Sequence, residues 1–252
     1  TNFTLILIVT YRQIGKTYVL EEFGKSNYKT YHLLNFEQNK ELAKLFASNL
    51  DPLSIINKIE IELEIEIDIQ NDLLVFDEIQ ECPNAITSLK YFCEKMPELD
   101  LIAAGSLLGV RLGTVSFPVG KVELMNMQPM SFGEFLLAAN PKLYKIWNEI
   151  NINQSLDETY HKKLFEYFKH YLIVGGMPKA IQTYIKLKDN LAKAFTEVED
   201  IQKDIIRTYY ADMAKHAGKV NSMHLQRVFE NIPEQLAKTE DQSTKRYKFQ
   251  GV

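Results

Sequence analysis

Cysteine is scarce in this sequence, which contains Cys82 and Cys93 among 252 residues. Two thiols cannot build a disulfide scaffold, and no cluster of cysteine and histidine has the spacing of a zinc site. Glycine and proline are also few, at 11 and 8 residues, which excludes a fibrous or low-complexity chain. No stretch approaches the roughly 20 apolar residues that span a bilayer, and no secretory signal is recognisable, so we expect a cytoplasmic protein with no membrane partner.

Neither sign of charge dominates, because 33 acidic residues against 29 basic ones give a net charge of −4. With 46% hydrophobic and 25% charged residues, the composition is that of a globular protein with one large or two small domains. A slight basic excess after position 201 is too mild to indicate nucleic-acid binding by itself. The chain starts directly with a strand-like aliphatic run at 5–9, so we expect a fragment or a sequence whose ends were not recorded.

Strand-like and helix-like segments alternate through the first half of the chain. Continuous aliphatic runs predict strands at 5–9, 31–36, 73–76, 100–104 and 122–127. Between them, amphipathic or capped patterns predict helices at 17–23, 37–50 and 84–96. Parallel strands need a crossover of about a dozen residues, so this rhythm predicts an α/β fold with a parallel sheet. Residues 59–70 alternate isoleucine or leucine with mostly acidic residues, a pattern that leaves strand and helix both open.

From Ser131 onward the pattern is helical. The predicted helices are 131–139, 142–149, 158–172, 179–185, 190–216 and 221–230. We place the domain boundary near Pro141, which divides the chain into 1–139 and 140–252.

The chemistry is concentrated where the first strand meets the first helix, at Gly15, Lys16 and Thr17. A helix N-terminus presents unpaired N–H groups and a partial positive charge, and a tight loop wraps further backbone donors around an anion. Lys16 would reach the β- and γ-phosphates of a nucleotide, and the Thr17 hydroxyl would contact Mg²⁺. The predicted cofactor-binding segment comprises Arg12, Gln13, Ile14, Gly15, Lys16, Thr17 and Tyr18.

Two acidic residues, Asp77 and Glu78, follow the third predicted strand. Ligands of open α/β sheets bind at the carboxyl ends of strands, so a carboxylate there can hold the metal through water. We assign Asp77 to that role, together with Thr17, and Glu78 to polarising the water that attacks the γ-phosphate. Ser106, at the end of the fourth strand, is placed to sense the γ-phosphate, so the predicted catalytic residues are Glu78, Lys16 and Ser106.

Thr10 departs from the full phosphate-loop pattern Gly-x-x-x-x-Gly-Lys-Ser/Thr, whose first glycine would fall at this position. A β-branched residue forced to positive φ is strained by about 1–3 kcal/mol. The sequence therefore leaves two alternatives: Thr10 adopts a β conformation, or phosphate affinity is reduced.

The motifs favour ATP hydrolysis over other nucleotide chemistry. Asp77 and Glu78 are followed by Ile79 and Gln80, without the glycine of the Asp-x-x-Gly motif of GTPases. A small-molecule kinase has no use for a water-activating glutamate. Arg111 and Lys121 are candidates for a cation supplied to the nucleotide, in the same chain or in a neighbouring copy of a homo-oligomer, and a surface charge is the alternative for each.

Taken together, the motifs resemble those of a family of prokaryotic AAA-like ATPases. The shared segments are RQIGKT at 12–17, NFE at 35–37, FDEIQECP at 76–83, AAGSLLGV at 103–110, FPVGKVE at 117–123 and GGMP at 175–178. The resemblance implies a P-loop NTPase fold with strand order 5-1-4-3-2, a Walker A motif at Gly15 to Thr17, a Walker B motif at Asp77 and Glu78, and a sensor at Ser106. It also implies that 140–252 is a helical lid or linker and the truncated start of a winged-helix-like domain of unknown function.

Two functions follow as hypotheses. In the first, the chain is an Mg²⁺-dependent ATPase that uses ATP hydrolysis to drive a conformational switch. In the alternative, it is a nucleotide-responsive module that binds a protein or DNA partner with little or no hydrolysis. The DNA partner rests on the resemblance and on the basic excess after position 201.

Overall fold

The computed structural model describes residues 5–106, 122–151 and 155–237. Its sheet consists of the parallel strands Ile6–Thr10 (β1), Tyr31–Asn35 (β2), Leu73–Asp77 (β3), Asp100–Ser106 (β4) and Glu123–Met127 (β5). They lie in the order β2-β3-β4-β1-β5. This is the expected order 5-1-4-3-2 read from the opposite edge, so the predicted α/β fold is confirmed.

Hydrophobic side chains cover both faces of the sheet, as buried parallel strands require. The helices beside it are Lys16–Asn27 (α1), Pro52–Leu63 (α2) and Pro83–Lys95 (α3). On one face, Leu20 of α1 belongs to a cluster with Ile8, Val75 and Ile102. The other face carries a block of phenylalanines in edge-to-face pairs with ring centroids 5.5 to 5.9 Å apart, formed by Phe36, Phe46, Phe76 and Phe92.

The segment after β2 differs from the sequence expectation. The helix predicted for 37–50 is a short 3₁₀ helix, Lys40–Phe46. The side-chain oxygen of Asn35 accepts hydrogen bonds from the N–H groups of Glu37 and Gln38. Such local side-chain bonds compete with α-helical hydrogen bonding, so the chain turns here before any helix begins.

The alternating segment 59–70 begins as helix and does not form a strand. Helix α2 buries Ile55, Ile56 and Ile59 on one face, a helical spacing, and ends at Leu63. Ile61 is left 79% exposed on the same helix. The helical spacing of the isoleucines before position 60 therefore determines the secondary structure of this segment. The alternation of apolar and acidic residues after position 60 does not produce a strand.

The chain divides into two compact units, Thr1–Ser131 and Phe132–Val252. The second unit is helical, as predicted, with helices Phe132–Ala139 (α4), Pro141–Asn148 (α5), Glu158–Val174 (α6), Pro178–Leu187 (α7) and Leu191–Ala237 (α8). The division lies before α4, whereas the sequence placed it after this helix. None of the helices in the described ranges combines the length and hydrophobicity that crossing a membrane requires.

Aromatic packing explains why α4 belongs to the second unit. The Phe132 ring lies 6.0 Å from that of Trp147 and 5.3 Å from that of Phe168. A Cβ atom added to Gly133 would lie 2.6 Å from the Trp147 ring, so the absence of a side chain allows the close approach of this indole. The helix therefore buries its apolar side among other helices of the second unit.

Helix α8 bends back on itself, although its backbone is helical over Leu191–Ala237. The Phe229 ring lies 6.2 Å from that of Tyr209 and 5.9 Å from that of Tyr210. In a straight helix, about 20 residues would separate these rings by about 30 Å. The chain must therefore reverse between Tyr210 and Phe229, and the helix predicted for 221–230 lies in the returning limb.

Phe76 should be a principal determinant of stability in the first unit, because it is fully buried and its ring contacts Phe36, Phe46 and Phe92. We expect Phe76→Ala to lower the free energy of unfolding by about 3–5 kcal/mol, measured by urea denaturation. Leu53→Ala, at a position 55% exposed, is the control and should change it by less than about 0.5 kcal/mol. Equal losses in the two variants would contradict the assignment of the core.

Candidate functional site

Polar side chains gather where four neighbouring strands end at the same edge of the sheet. Asn35 pairs in register with Asp77 at the ends of β2 and β3, and Thr10 pairs with Ser106 at the ends of β1 and β4. Glu78 follows Asp77 directly. This edge is the usual position of ligands in open parallel sheets.

The loop between β1 and α1 leads into a helix N-terminus whose first backbone N–H groups are not capped by a side chain. Gly15 has φ 85°, a left-handed conformation that glycine adopts without a steric penalty, and Lys16 is the first residue of α1. Gln13 shares the left-handed region, with φ 64°. No side chain caps the start of α1, so its first N–H groups are available to an anion.

Thr10 adopts the first of the two conformations that the sequence left open. It is the last residue of β1 and is absent from the positive-φ residues of the described chain. Its side chain is 5% exposed, and its hydroxyl oxygen has no hydrogen-bond partner within the described structure. Threonine in place of the glycine of the loop pattern therefore leaves a buried hydroxyl without a hydrogen bond, and it does not strain the backbone.

The ammonium group of Lys16 lies between two carboxylates. Its Nζ is 2.6 Å from Asp77 Oδ1 and 2.5 Å from Glu78 Oε1. Lys16 is 7% exposed and Asp77 is fully buried. The buried ammonium and the buried Asp77 carboxylate are tolerated because their opposite charges pair, and the partly buried Glu78 is a second acidic partner of the ammonium.

Asp77 is held by three hydrogen bonds in addition to the ion pair. Its Oδ2 accepts from Thr17 Oγ1 and Asn35 Nδ2, each at 3.1 Å, and its Oδ1 accepts from the N–H of Glu78 at 2.9 Å. Thr17 and Asp77 thus present oxygen atoms side by side, which is the donor type that Mg²⁺ prefers. The described residues contain no cluster of three or more His, Cys, Asp or Glu that could hold a metal alone. This small donor set fits Mg²⁺, which proteins usually bind through one or two side chains together with phosphate and water.

Glu78 is oriented by its neighbours and carries a perturbed pKa. Its Oε2 accepts from Gln80 Nε2 at 2.5 Å and from Ser106 Oγ at 3.4 Å. Burial alone would raise the pKa of Glu78, but the charge and hydrogen bond of Lys16, the bond from Gln80 and the charge of Arg12 outweigh it. The pKa is therefore held below its ordinary value, and Glu78 is a carboxylate at neutral pH. Its backbone is also left-handed, with φ 51°.

The structure brings most of the sequence-predicted site residues together. Gly15, Lys16, Thr17, Asp77, Glu78 and Ser106 lie in one cluster, and the charge of Arg12 acts on Glu78. The side chain of Ile14 is buried and that of Tyr18 is 69% exposed, so neither joins this cluster. Arg111 and Lys121 lie outside the described residues.

Sequence reasoning assigned no role to Asn35 or Gln80, although each contacts a Walker B carboxylate. Both lie in segments that resemble those of the AAA-like ATPase family, NFE at 35–37 and FDEIQECP at 76–83. A polar residue at the end of a buried strand was the signal that could have identified Asn35.

One cavity lies away from this cluster. It is an open depression of about 1140 Å³ beside the residues that precede β2 and β3, including Thr30 and Asp72. These residues lie at the amino ends of the strands, opposite the Walker motifs. The charges and hydrogen-bond donors of the candidate site lie instead at the carboxyl ends of the strands, around Lys16, Asp77 and Glu78.

These features are those of a P-loop nucleotide-binding fold. A family model described as "AAA domain" matches residues 2–136, and the chain belongs to this family. A second model, a domain of unknown function (DUF8612), matches residues 165–248. No curated protein matches the chain.

Solved structures are similar in fold at low sequence identity. The Walker-type ATPase PABY2304 of Pyrococcus abyssi is 14% identical, with a TM-score of 0.51 over 93% of this chain and 73% of that one. C. elegans PCH-2 is 15% identical, with a TM-score of 0.44 over 79% of this chain and 61% of that one. The first similarity supports the P-loop ATPase fold, and the family match assigns the first unit as an AAA-type domain.

Asn35 should stabilise the site beyond its local turn, because it also donates to the buried Asp77. We expect Asn35→Ala to lower the free energy of unfolding by about 1–3 kcal/mol, since a buried carboxylate loses a partner. Asn39→Ala is the matched control: Asn39 accepts from the N–H of Glu41 without touching Asp77, and its loss should cost about 0.5–1 kcal/mol. Chemical denaturation compares the two, and equal effects would mean that the bond to Asp77 contributes nothing.

The lowered pKa of Glu78 predicts an acid-dependent part of the stability. Because the folded-state pKa lies below the ordinary value of 4.5, the stabilisation is complete above that pH and is lost as the pH falls through the folded-state pKa. We therefore expect the difference in free energy of unfolding between wild type and Glu78→Gln to shrink on acidification. Urea denaturation at a series of pH values measures this difference, and a pH-independent difference would contradict the prediction.

Proposed function

We propose that this chain binds ATP together with Mg²⁺ in the loop between β1 and α1 and hydrolyses it. The observation that carries this proposal is the convergence of Lys16, Asp77 and Glu78 beside the uncapped N-terminus of α1. Membership of the AAA domain family supports it, because that family shares the P-loop fold.

The loop and Lys16 would bind the triphosphate. The first N–H groups of α1 and the helix dipole favour an anion at this position, and the Lys16 ammonium is within reach of the same space. Thr17 would contact Mg²⁺ through its hydroxyl and Asp77 would hold it through water, and their side-chain oxygens lie 3.1 Å apart. Bound there, Mg²⁺ would supply charge neutralisation for the phosphate oxygens.

Glu78 would act as the general base. Its lowered pKa keeps it ionised at neutral pH, so it can accept a proton from a water molecule. Gln80 and Ser106 hold one of its oxygens, while the other contacts Lys16. For Glu78 to face a water, the contact with Lys16 must open, which pairing of Lys16 with phosphate would achieve. Ser106, which donates a hydrogen bond to Glu78, would then sense the γ-phosphate next to the general base.

We propose that ATP hydrolysis drives a conformational switch that involves the helical second unit. A second candidate is a nucleotide-responsive binding module with little hydrolysis, which engages a protein or DNA partner. The contact between Glu78 and Lys16 favours this candidate if it persists with nucleotide bound, since a base paired with Lys16 does not activate water. Phosphate release separates the two.

We expect Lys16→Ala to abolish ATP binding, because it removes both the phosphate ligand and the ammonium that pairs with Asp77 and Glu78. Glu78→Gln should still bind Mg²⁺–ATP but release phosphate about 10²–10⁴-fold more slowly, the usual contribution of a general base. Isothermal titration calorimetry measures binding, and a phosphate-release assay measures turnover.

Lys95→Ala is the control for these variants, because Lys95 forms an exposed ion pair with Asp51 and should affect neither quantity. Equal and negligible phosphate release by wild type and Glu78→Gln would reject the enzyme in favour of the binding module.

A further inference from the structure

Thr10 lies in the same row of side chains as residues of the candidate site. Side chains two residues apart on a strand share a face of the sheet, and Val75 and Ile8 belong to the hydrophobic cluster that α1 covers. Asp77 and Thr10, each two residues further along its strand, therefore point to the side on which α1 lies. Ser106 points there too, because it is paired in register with Thr10 on the neighbouring strand.

Thr10 differs from its neighbours in this row, because its hydroxyl is unsatisfied within the described structure. Asp77 accepts three hydrogen bonds, and Ser106 donates one to Glu78. Thr10 Oγ1 is shielded from solvent and has no hydrogen-bond partner among the described residues. A buried hydroxyl without a partner is unfavourable, and native structures hold few such groups. Glycine, the residue of the loop pattern at this position, would not introduce this group. A ligand would supply the partner that the hydroxyl lacks.

The surroundings of this hydroxyl favour a phosphate as that partner. The first N–H groups of α1 are uncapped, and the ammonium of Lys16 lies on the same side of the sheet. A hydroxyl can donate to a phosphate oxygen. Ser106, next to Thr10 in the sheet, donates to Glu78, which we propose to activate water beside the terminal phosphate. Thr10 therefore lies at the end of the site that a third phosphate would occupy.

We propose that Thr10 is a specificity-determining residue whose hydroxyl donates a hydrogen bond to the terminal phosphate of a nucleoside triphosphate. The inference rests on the proposed function and names the ligand state that the site selects, which is the triphosphate over the diphosphate. Pairing with phosphate draws Lys16 away from Glu78 and so rearranges the side chains around Ser106, and this movement opens the hydroxyl to the ligand. The departure from the loop pattern then adds a phosphate contact instead of weakening the loop.

The experiment measures the affinity for the non-hydrolysable ATP analogue AMP-PNP and for ADP, each with Mg²⁺, by isothermal titration calorimetry. Thr10→Val keeps the branched shape of the side chain and removes the hydroxyl. Thr10→Ala also removes the hydroxyl, and Thr10→Ser keeps it while removing the methyl group. Thr87→Val is the matched control, because it makes the same substitution in α3, where the hydroxyl donates to the carbonyl oxygen of Pro83.

Thr10→Val and Thr10→Ala should bind AMP-PNP about 10–100-fold more weakly than wild type, the range for a hydrogen bond to a charged group. Both should bind ADP as wild type does, and Thr10→Ser and Thr87→Val should match wild type with both nucleotides. A second readout needs no nucleotide: Thr10→Val should raise the melting temperature of the free protein by about 2–4 °C, because it removes an unsatisfied hydroxyl. A purely structural role for Thr10 would not combine higher stability with weaker binding.

Unchanged AMP-PNP affinity in both variants that lack the hydroxyl would overturn the inference. Equal losses for AMP-PNP and ADP would overturn it as well, because the hydroxyl would then not contact the third phosphate. So would a loss in Thr10→Ser as large as that in Thr10→Val, because packing of the methyl group would then explain the effect. Failure of wild type to bind either nucleotide is a different result, which would reject the proposed function itself.

Discussion

A buried ammonium must be paired, and this requirement organises the candidate site. Lys16 is 7% exposed because it starts a helix that packs on the sheet. Its ammonium pairs with Asp77 and Glu78, which lie more than 60 residues further along the chain and follow a neighbouring part of the sheet. The segments 12–17 and 76–83 are therefore joined by electrostatic contacts. The same balance is what a phosphate and a metal would have to replace.

The precision of this arrangement comes from the apolar residues beneath it. Phe76 packs against three other phenylalanine rings on one face of the sheet, and Asp77 and Glu78 follow it directly in the chain. Rigid packing of β3 sets where the first carboxylate lies, and the left-handed backbone of Glu78 turns the second toward Lys16. Hydrogen bonds from Asn35 and Gln80 then restrict each carboxylate. The phosphoryl chemistry that we propose needs this kind of preorganisation, because such chemistry depends on positioning and charge.

The helical unit is stabilised by a different kind of contact. Aromatic rings from separate helices meet around Phe132 and Trp147, and the bent helix α8 closes on itself through Phe229. These contacts belong to the second unit alone and explain why α4 lies within it. A family model for a domain of unknown function matches most of this unit.

The sequence by itself determined the strands and their parallel pairing, because continuous aliphatic runs are local features. It also singled out Lys16, Thr17, Asp77 and Glu78 as candidate site residues, because residues at strand ends can be recognised locally. It could not decide whether Thr10 is strained, because that depends on the β conformation imposed by pairing with Ser106. Nor could it show the roles of Asn35 and Gln80, the end of α2 or the turn-back of α8. Each of these is set by contacts between residues far apart in the chain or by competing local hydrogen bonds, and such contacts exist only once the chain has folded.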